Sequence, residues 1–449
     1  MNVKQEKPFE PENDSYSENV ALQKIKAELH RKLIELLDLN EARQIPLERL
    51  HDECSNRVDA LLSAQQYPLS GPDKQRLLRE VMDEVFGFGP LEVFLRDPYI
   101  TDILVNGPHK IYIEKNGCIE PTKVTFMDEK HLMRIIQRIG ANVGRRIDES
   151  TPMLDARLPD GSRVNAIIPP LALDGPMVSI RRFGVNPIDI HRLIEIDALT
   201  EDMAYFLEAC VKCKMNILIS GGTGTGKTTL LNALSRWIPS GERVITIEDA
   251  AELQLQREHV VRLETRPPNI EGEGCITQRD LVRNSLRMRP DRIIVGEVRG
   301  GETLDMLQAM NTGHEGSMTT VHANSPRDAL RRLENMVSMA GINYPIRAIR
   351  EQLSSALDVL IHLGRMTGGS RKIVKVVEIT AMEGDTICLH DIFLFNQMGV
   401  DNNGHAYGQF EACGVRPLLL QRIQAQGVDM PRDLFKRRVL VKSQSDNNK

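Results

Sequence analysis

The segment Gly221-Gly-Thr-Gly-Thr-Gly226-Lys227-Thr228 constrains this chain more than any other stretch of it. The apolar run Asn216–Ser220 precedes it, and a helical pattern over 227–236 follows. Glycines at this spacing let backbone N–H groups converge on an anion at a helix N-terminus, where the dipole favours negative charge. Lys227 is then placed to reach the β- and γ-phosphates of ATP, and the Thr228 hydroxyl to ligate Mg²⁺. Gly221, Gly222, Thr223, Gly224, Thr225, Gly226 and Thr229 complete the expected cradle. A strand, a glycine loop and a helix in this order also imply more of the same kind. From Ile196 onward, buried-strand runs at 215–220, 243–247, 260–263, 292–295 and 317–321 alternate with helical patterns at 227–236, 277–287, 302–312 and 326–339. That alternation predicts an α/β fold with an open, largely parallel sheet wrapped by helices.

Upstream the chain changes character twice. Residues 1–17, rich in Glu, Asn, Pro and Ser, are expected to form a disordered tail. Over 18–87, Leu22, Ile25, Leu29 and Leu33, and later Leu50, Val58 and Leu62, recur at helical spacing and predict a helical bundle. From 88 to 183, short β-rich runs are punctuated by Asn-Gly turns at 106 and 116, with a helix around 129–139. This predicts an α+β domain, followed by a linker over 184–195 that contains Gly184 and Pro187.

Hydrophobic residues make up 41% and charged residues 27%, a balance that suits a soluble globular chain. The net charge of −5 weighs against a nucleic-acid partner, which usually faces a basic surface. The polar stretch Met1–Val20 has no signal-peptide core, and no run approaches the roughly 18 apolar residues of a membrane span. The expected location is the cytoplasm, with a membrane reached only by docking on an embedded partner. Seven scattered cysteines suit a reducing compartment. Cys210 and Cys213 form a C-x-x-C with no second ligand pair at zinc spacing, so both are expected as buried small residues.

Three further segments bring chemistry to the sheet. Arg292-Ile-Ile-Val-Gly-Glu297 is an apolar strand that ends in a carboxylate suited to orient or deprotonate the attacking water. Gly296 stands where such strands usually carry an aspartate. Val244-Ile-Thr-Ile-Glu248-Asp249, with Glu252 behind it, supplies three acids, and Glu248 or Asp249 is expected to hold Mg²⁺ through water. In Gly313-His314-Glu-Gly-Ser-Met-Thr-Thr-Val-His322, one histidine precedes a strand and another ends it. His314 or His322 is placed to sense the γ-phosphate.

These four motifs in this order, with Val295-Gly-Glu-Val-Arg299, resemble the type II/type IV secretion ATPases over about residues 75–395. Within them, the tract 281–291 and the N-terminal helices are most similar to the CpaF branch, the motors of tight-adherence (Flp) pili. The chain lacks the four-cysteine module usual in other branches. The resemblance implies a bacterial homohexamer with a RecA-like P-loop ATPase domain over 196–449, including a C-terminal extension. Inner-membrane platform proteins would be its partners, and pilin or secreted protein its indirect cargo. It also implies arginines from the N-terminal side completing the nucleotide site, with Arg157, Arg163, Arg181 and Arg182 as candidates and Arg299 beside Glu297. Guanidinium groups suit that role because they stay charged and bind phosphate in a bidentate way.

Two rivals stand beside that reading. A DNA translocase or conjugation motor would use Arg279, Arg283 and Arg287, spaced along one helix face, with Arg289 and Arg292 after them. A nucleotide-gated scaffold would bind ATP and scarcely turn it over. The lack of any N-K-x-D guanine-reading motif weighs strongly against a GTPase.

Overall fold

In the computed structural model, the strand that leads into the glycine loop is interior to a ten-stranded sheet. The structure describes residues 47–64, 70–115, 117–183, 188–266, 273–341, 344–402 and 404–440, with Ile25, Glu28, Leu29 and Lys32 before them. The tail expected over 1–17 lies outside the described residues. The chain divides into two compact units, up to Gly184 and from Val185.

The first unit contains helices α1 (Leu47–Ala64) and α2 (Gly71–Phe86). Gly71-Pro72 starts the second helix, because Ser70 caps it and proline is at ease in a first turn. Cys54, Val58 and Leu62 pack against Leu77, Val81 and Met82. Next come β1 (Ile100–Asn106), β2 (Ile111–Lys115), β3 (Cys118–Pro121), helix α3 (Glu129–Asn142), β4 (Met153–Arg157), β5 (Arg163–Ile167) and β6 (Met177–Arg181). The strands form one antiparallel sheet in the order β3-β2-β1-β6-β5-β4. Residues alternate across it, with Val164, Ala166, Val178 and Ile180 in the core and Arg163, Asn165, Ser179 and Arg181 outward.

In the second unit, the last part of the expected linker is helical. Asp189 caps α4 (Ile190–Glu195), and Ile190 and Leu193 are buried in the core that follows. After α5 (Glu201–Lys212) come β7 (Ile217–Gly221), α6 (Lys227–Ser235), β8 (Val244–Glu248), β9 (Val260–Glu264), α7 (Gln278–Ser285), β10 (Arg292–Val295), α8 (Glu302–Asn311), β11 (Met318–His322), α9 (Pro326–Ser338) and α10 (Ile346–Ala356). Strand β12 (Val359–Arg365) then returns beside β7. The order β12-β7-β11-β10-β8-β9 is parallel throughout, as the alternation of elements predicts.

Beyond β12 the sheet turns antiparallel through β13 (Arg371–Glu383), β14 (Thr386–Val400), β15 (Ala406–Ala412) and β16 (Arg438–Leu440). The sequence pattern marks this half only as an extension. Cys210 and Cys213 are buried, and burial pushes both thiols up. No helix among the described residues is long and apolar enough to cross a membrane.

Candidate active site

Because β7, β8, β10 and β11 run parallel, their carboxyl ends share one edge, and each delivers a motif there. From β7 comes the glycine loop. Gly224 and Gly226 have φ of +69° and +93°, a region side-chain-bearing residues avoid, so these glycines allow the loop its curl. Helix α6 begins at Lys227 directly after it. Thr225 Oγ1 donates to the Gly222 carbonyl at 2.9 Å, Thr223 is exposed, and Thr228 and Thr229 lie half-buried in the first helical turn.

Lys227 is only 7% exposed. Its Nζ donates to the carbonyls of Gly221 (3.1 Å) and Gly222 (2.9 Å) and stands 3.4–3.5 Å from both ring nitrogens of His322. The ammonium is thus folded back on its own loop, in reach of the position a phosphate takes.

His322 ends β11, in register with Gly221. Its Nε2 lies 3.2 Å from Glu297 Oε1, and Glu297 Oε2 accepts from Arg299 Nη2 at 2.8 Å. Arg299 Nη1 also stands 3.6 Å from Asp249 Oδ2. Lys227, His322, Glu297, Arg299 and Asp249 therefore form one continuous polar chain. Burial, joined by the nearby cations Lys227, Arg299 and Arg332 and opposed by Glu297, holds the His322 pKa below the usual histidine value. A neutral ring with Nε2–H aimed at Glu297 leaves Nδ1 to face Lys227, a tautomer assigned from this network. The turn that carries Glu297 is stitched in place. Thr320 Oγ1 donates to the Gly296 carbonyl, Val298 N–H donates to the Thr320 carbonyl, and Glu302 Oε1 accepts from the N–H groups of Arg299 and Gly300.

Glu248 sits differently. It is 3% exposed, and its Oε1 accepts from the N–H groups of Glu252 and Leu253, both at 2.9 Å. Its Oε2 is buried without a hydrogen-bond partner. Burial raises its pKa to about 7, against the pull of the two N–H donors. A Cβ at Gly296 would come within 2.8 Å of Glu248 Cγ. The glycine in the Arg292–Glu297 strand is thus the space into which the Glu248 side chain packs.

The two histidines of the fourth motif are separated by the full length of β11. Only His322 reaches the glycine loop; His314 lies before the strand's other end, where Ser317 Oγ donates to its carbonyl. Part of the arginine stripe is committed to acids. Arg279 and Arg283 both donate to the Asp305 carboxylate, at 2.7 and 2.8 Å. Arg292 is fully buried, donating to Glu242 and to the carbonyls of Val211 and Gly316.

In the first unit, Arg157, Arg163 and Arg181 stand abreast on β4, β5 and β6, paired directly across the strands. Arg163 forks onto Asp155, Arg181 lies 3.5 Å from Asp102, and Arg157 covers the Phe183 ring. Like charges directly opposite one another destabilise a sheet, and these partners offset that repulsion. Arg182 points the other way and donates to the carbonyls of Phe94 and Asp97.

Sequence reasoning missed a residue at the glycine loop. Arg371 Nε donates to the Gly224 carbonyl at 2.8 Å, and the cross-strand partner Arg365 brings its Nη1 near the same glycine. The signal was slight: a basic residue on each side of the turn sequence Met-Thr-Gly-Gly-Ser after an apolar run.

An open parallel sheet with a glycine loop, a lysine at the helix start and acids on the neighbouring strand ends defines a phosphate-loop nucleotide-binding protein of the α/β class. Residues 84–408 match the family model described as Type II/IV secretion system protein, and the chain belongs to that family. A Mycobacterium tuberculosis protein, assigned by name provisionally to conjugal transfer, is 37% identical over 313 residues, 68% of this chain and 88% of its own length. The type IV secretion system protein VirB11 of Brucella abortus is 34% identical over 320 residues, covering 65% of this chain and 88% of the relative. The solved VirB11 ATPase of Brucella suis, in complex with sulphate, is 31% identical, covers 64% of this chain and 94% of that one, and has a TM-score of 0.35.

Proposed function

We propose that this protein is a ring-forming cytoplasmic ATPase that couples ATP hydrolysis to Flp-type pilus assembly or to protein secretion across the bacterial inner membrane. The observation that carries the hydrolase reading is the chain Lys227–His322–Glu297–Arg299 at the mouth of the glycine loop. On nucleotide binding, Lys227 exchanges its two loop carbonyls for the β- and γ-phosphates. Glu297, held by Arg299 and His322, accepts the proton of the attacking water. His322, touching both Lys227 and Glu297, registers whether a γ-phosphate is present.

The residues fit Mg²⁺. Thr228 lies in the first turn of α6, where its hydroxyl would serve as a ligand, and the unpartnered Glu248 Oε2 is a buried acceptor suited to a metal-bound water. When bound, Mg²⁺ would neutralise charge on the phosphates.

A homohexamer, with membrane platform proteins as partners, follows from the family resemblance. The arginine row on β4, β5 and β6 supports action on a neighbour's nucleotide, with Arg182 the weakest member because it is committed to backbone carbonyls. The conjugation-motor reading has support in the M. tuberculosis relative's name, but Arg279, Arg283 and Arg292 of its arginine set are already engaged by Asp305 and Glu242.

Steady-state phosphate release tests the proposal. The wild type should turn over ATP, and Lys227→Ala should abolish that activity; near wild-type turnover in the variant would refute the site. Mixing Lys227→Ala subunits with Arg163→Ala/Arg181→Ala subunits tests the ring. Partial return of activity supports arginines acting in trans, and baseline activity in confirmed mixed rings rejects it.

A further inference from the structure

His362 is a buried titratable group that stands outside the polar chain at the glycine loop. It lies on β12, in register with Ser220, the residue before that loop. The ring is 8% exposed, and Nδ1 is 2.9 Å from Ser220 Oγ, itself fully buried. On its other side the ring faces the backbone of Asn324, two residues after His322. The Asn324 N–H is already donated to Asp328 Oδ2 at 2.8 Å, so the group that meets the ring is the Asn324 carbonyl. A carbonyl only accepts, which puts the ring proton on that side and leaves Nδ1 to accept from the Ser220 hydroxyl.

The ring's neutral state agrees with this. Burial and the Lys375 ammonium, opposite His362 on β13, hold its pKa below the usual histidine value, while the Asn324 carbonyl and Asp328 act the other way. The ring therefore reaches from the end of β7 to the segment that leaves β11. The Ala323 N–H, donating to the Gly221 carbonyl at 3.3 Å, is a second tie between the same two segments. Between them sits His322, whose distances to Lys227 and Glu297 depend on where residues 322–324 are held.

We propose that His362 is a positioning residue for His322, tying the segment after β11 to the strand that feeds the glycine loop. The inference rests on the hydrolase reading. Displacing a reacting constellation by about 1 Å can cost on the order of 100-fold in rate, so a loosened His322 should be visible in turnover.

The test is a double-mutant cycle read in kcat. His362→Leu should lower kcat roughly 10-fold, with ATP affinity, measured by a fluorescent ATP analogue, changed by less than about 2-fold. In a His322→Ala background, the same substitution should change kcat by less than about 2-fold, because the residue it positions is gone. His362→Gln keeps one acceptor and one donor and should recover most of the loss. If His362→Leu fails to fold, Ser220→Ala, which removes only a hydroxyl, takes its place in the cycle.

Effects of His362 and His322 that multiply independently would overturn the inference, as would a Gln variant no better than Leu. An active wild type with such results leaves the hydrolase reading intact. A wild type that releases no phosphate sinks that reading, and the positioning role with it.

Discussion

Two glutamates end neighbouring strands of the same sheet edge, and their surroundings separate them. Glu248, the last residue of β8, is enclosed, grips two backbone N–H groups with one oxygen and carries a pKa raised to about 7. Glu297, just past β10, is partly open to solvent and is held by an arginine and a histidine. Burial favours the neutral acid at Glu248, whereas the half-open Glu297 is oriented by its two partners. Sequence position alone makes the two look equivalent. On the proposed mechanism Glu297 serves the water, while Glu248 holds the loop 249–253 through one oxygen, with the other unpartnered.

The strongest way to break this contrast is to neutralise each acid in turn. Glu297→Gln should retain nucleotide binding and lose roughly two to four orders of magnitude in turnover, the range for a positioned base. Phosphate release above about a tenth of wild type would place the base elsewhere, with Glu248 the next suspect. Glu248→Gln should cost less, about 10-fold, and raise the Mg²⁺ concentration needed for half-maximal activity. A loss equal to that of Glu297→Gln, with unchanged Mg²⁺ dependence, would erase the distinction.

Gly296 sharpens the comparison, since it is the point where the two strand ends touch. A methyl at this position meets Glu248 Cγ at 2.8 Å and Oε1 at 3.3 Å. Gly296→Ala should therefore cost about 1–3 kcal/mol of stability, the range for overpacking. Chemical denaturation measures it. The cost should shrink in a Glu248→Ala background, and an undiminished cost would mean that the backbone, not Glu248, sets the need for glycine.

How far this site was legible in the sequence follows from the kind of information each part needs. Strand β10 spans Arg292–Val295, as the apolar run marks it, because a short buried strand between polar ends has little freedom in its bounds. The glycine loop was equally plain, since its spacing is itself the mechanism. Side chains that meet across strands were not legible. Helical spacing put Arg279 and Arg283 on one face, but it held no sign of Asp305 opposite them. His314 and His322 read as a pair, although a strand places its two ends far apart. The extension beyond β12 was obscured by bulges, where the pairing of β13 with β14 slips between Val376 and Val377 and again between Ile379 and Met382. Arg371 belongs to that half and touches the glycine loop only through the pairing of β12 with β13 and with β7.

The smallest expected effect is a dependence of stability on pH that belongs to Glu248. In the unfolded chain this carboxyl titrates near its ordinary 4.5, and in the folded chain burial moves it to about 7. Between those values the folded state holds a proton that the unfolded state has released. That contribution to stability is complete below about pH 4.5 and is lost as pH rises through about 7. Glutamine at 248 has no such titration. The melting temperature of Glu248→Gln, relative to wild type, should therefore rise between pH 5 and pH 8, by roughly 2–6 °C for a domain of this size. Nucleotide and Mg²⁺ must be left out, because a cation near Oε2 would favour the ionised form and hide the effect. Calorimetry of the two proteins across that range decides it. Parallel curves would mean that the buried carboxyl titrates normally, and the contrast between the two strand ends would then rest on Glu297 alone.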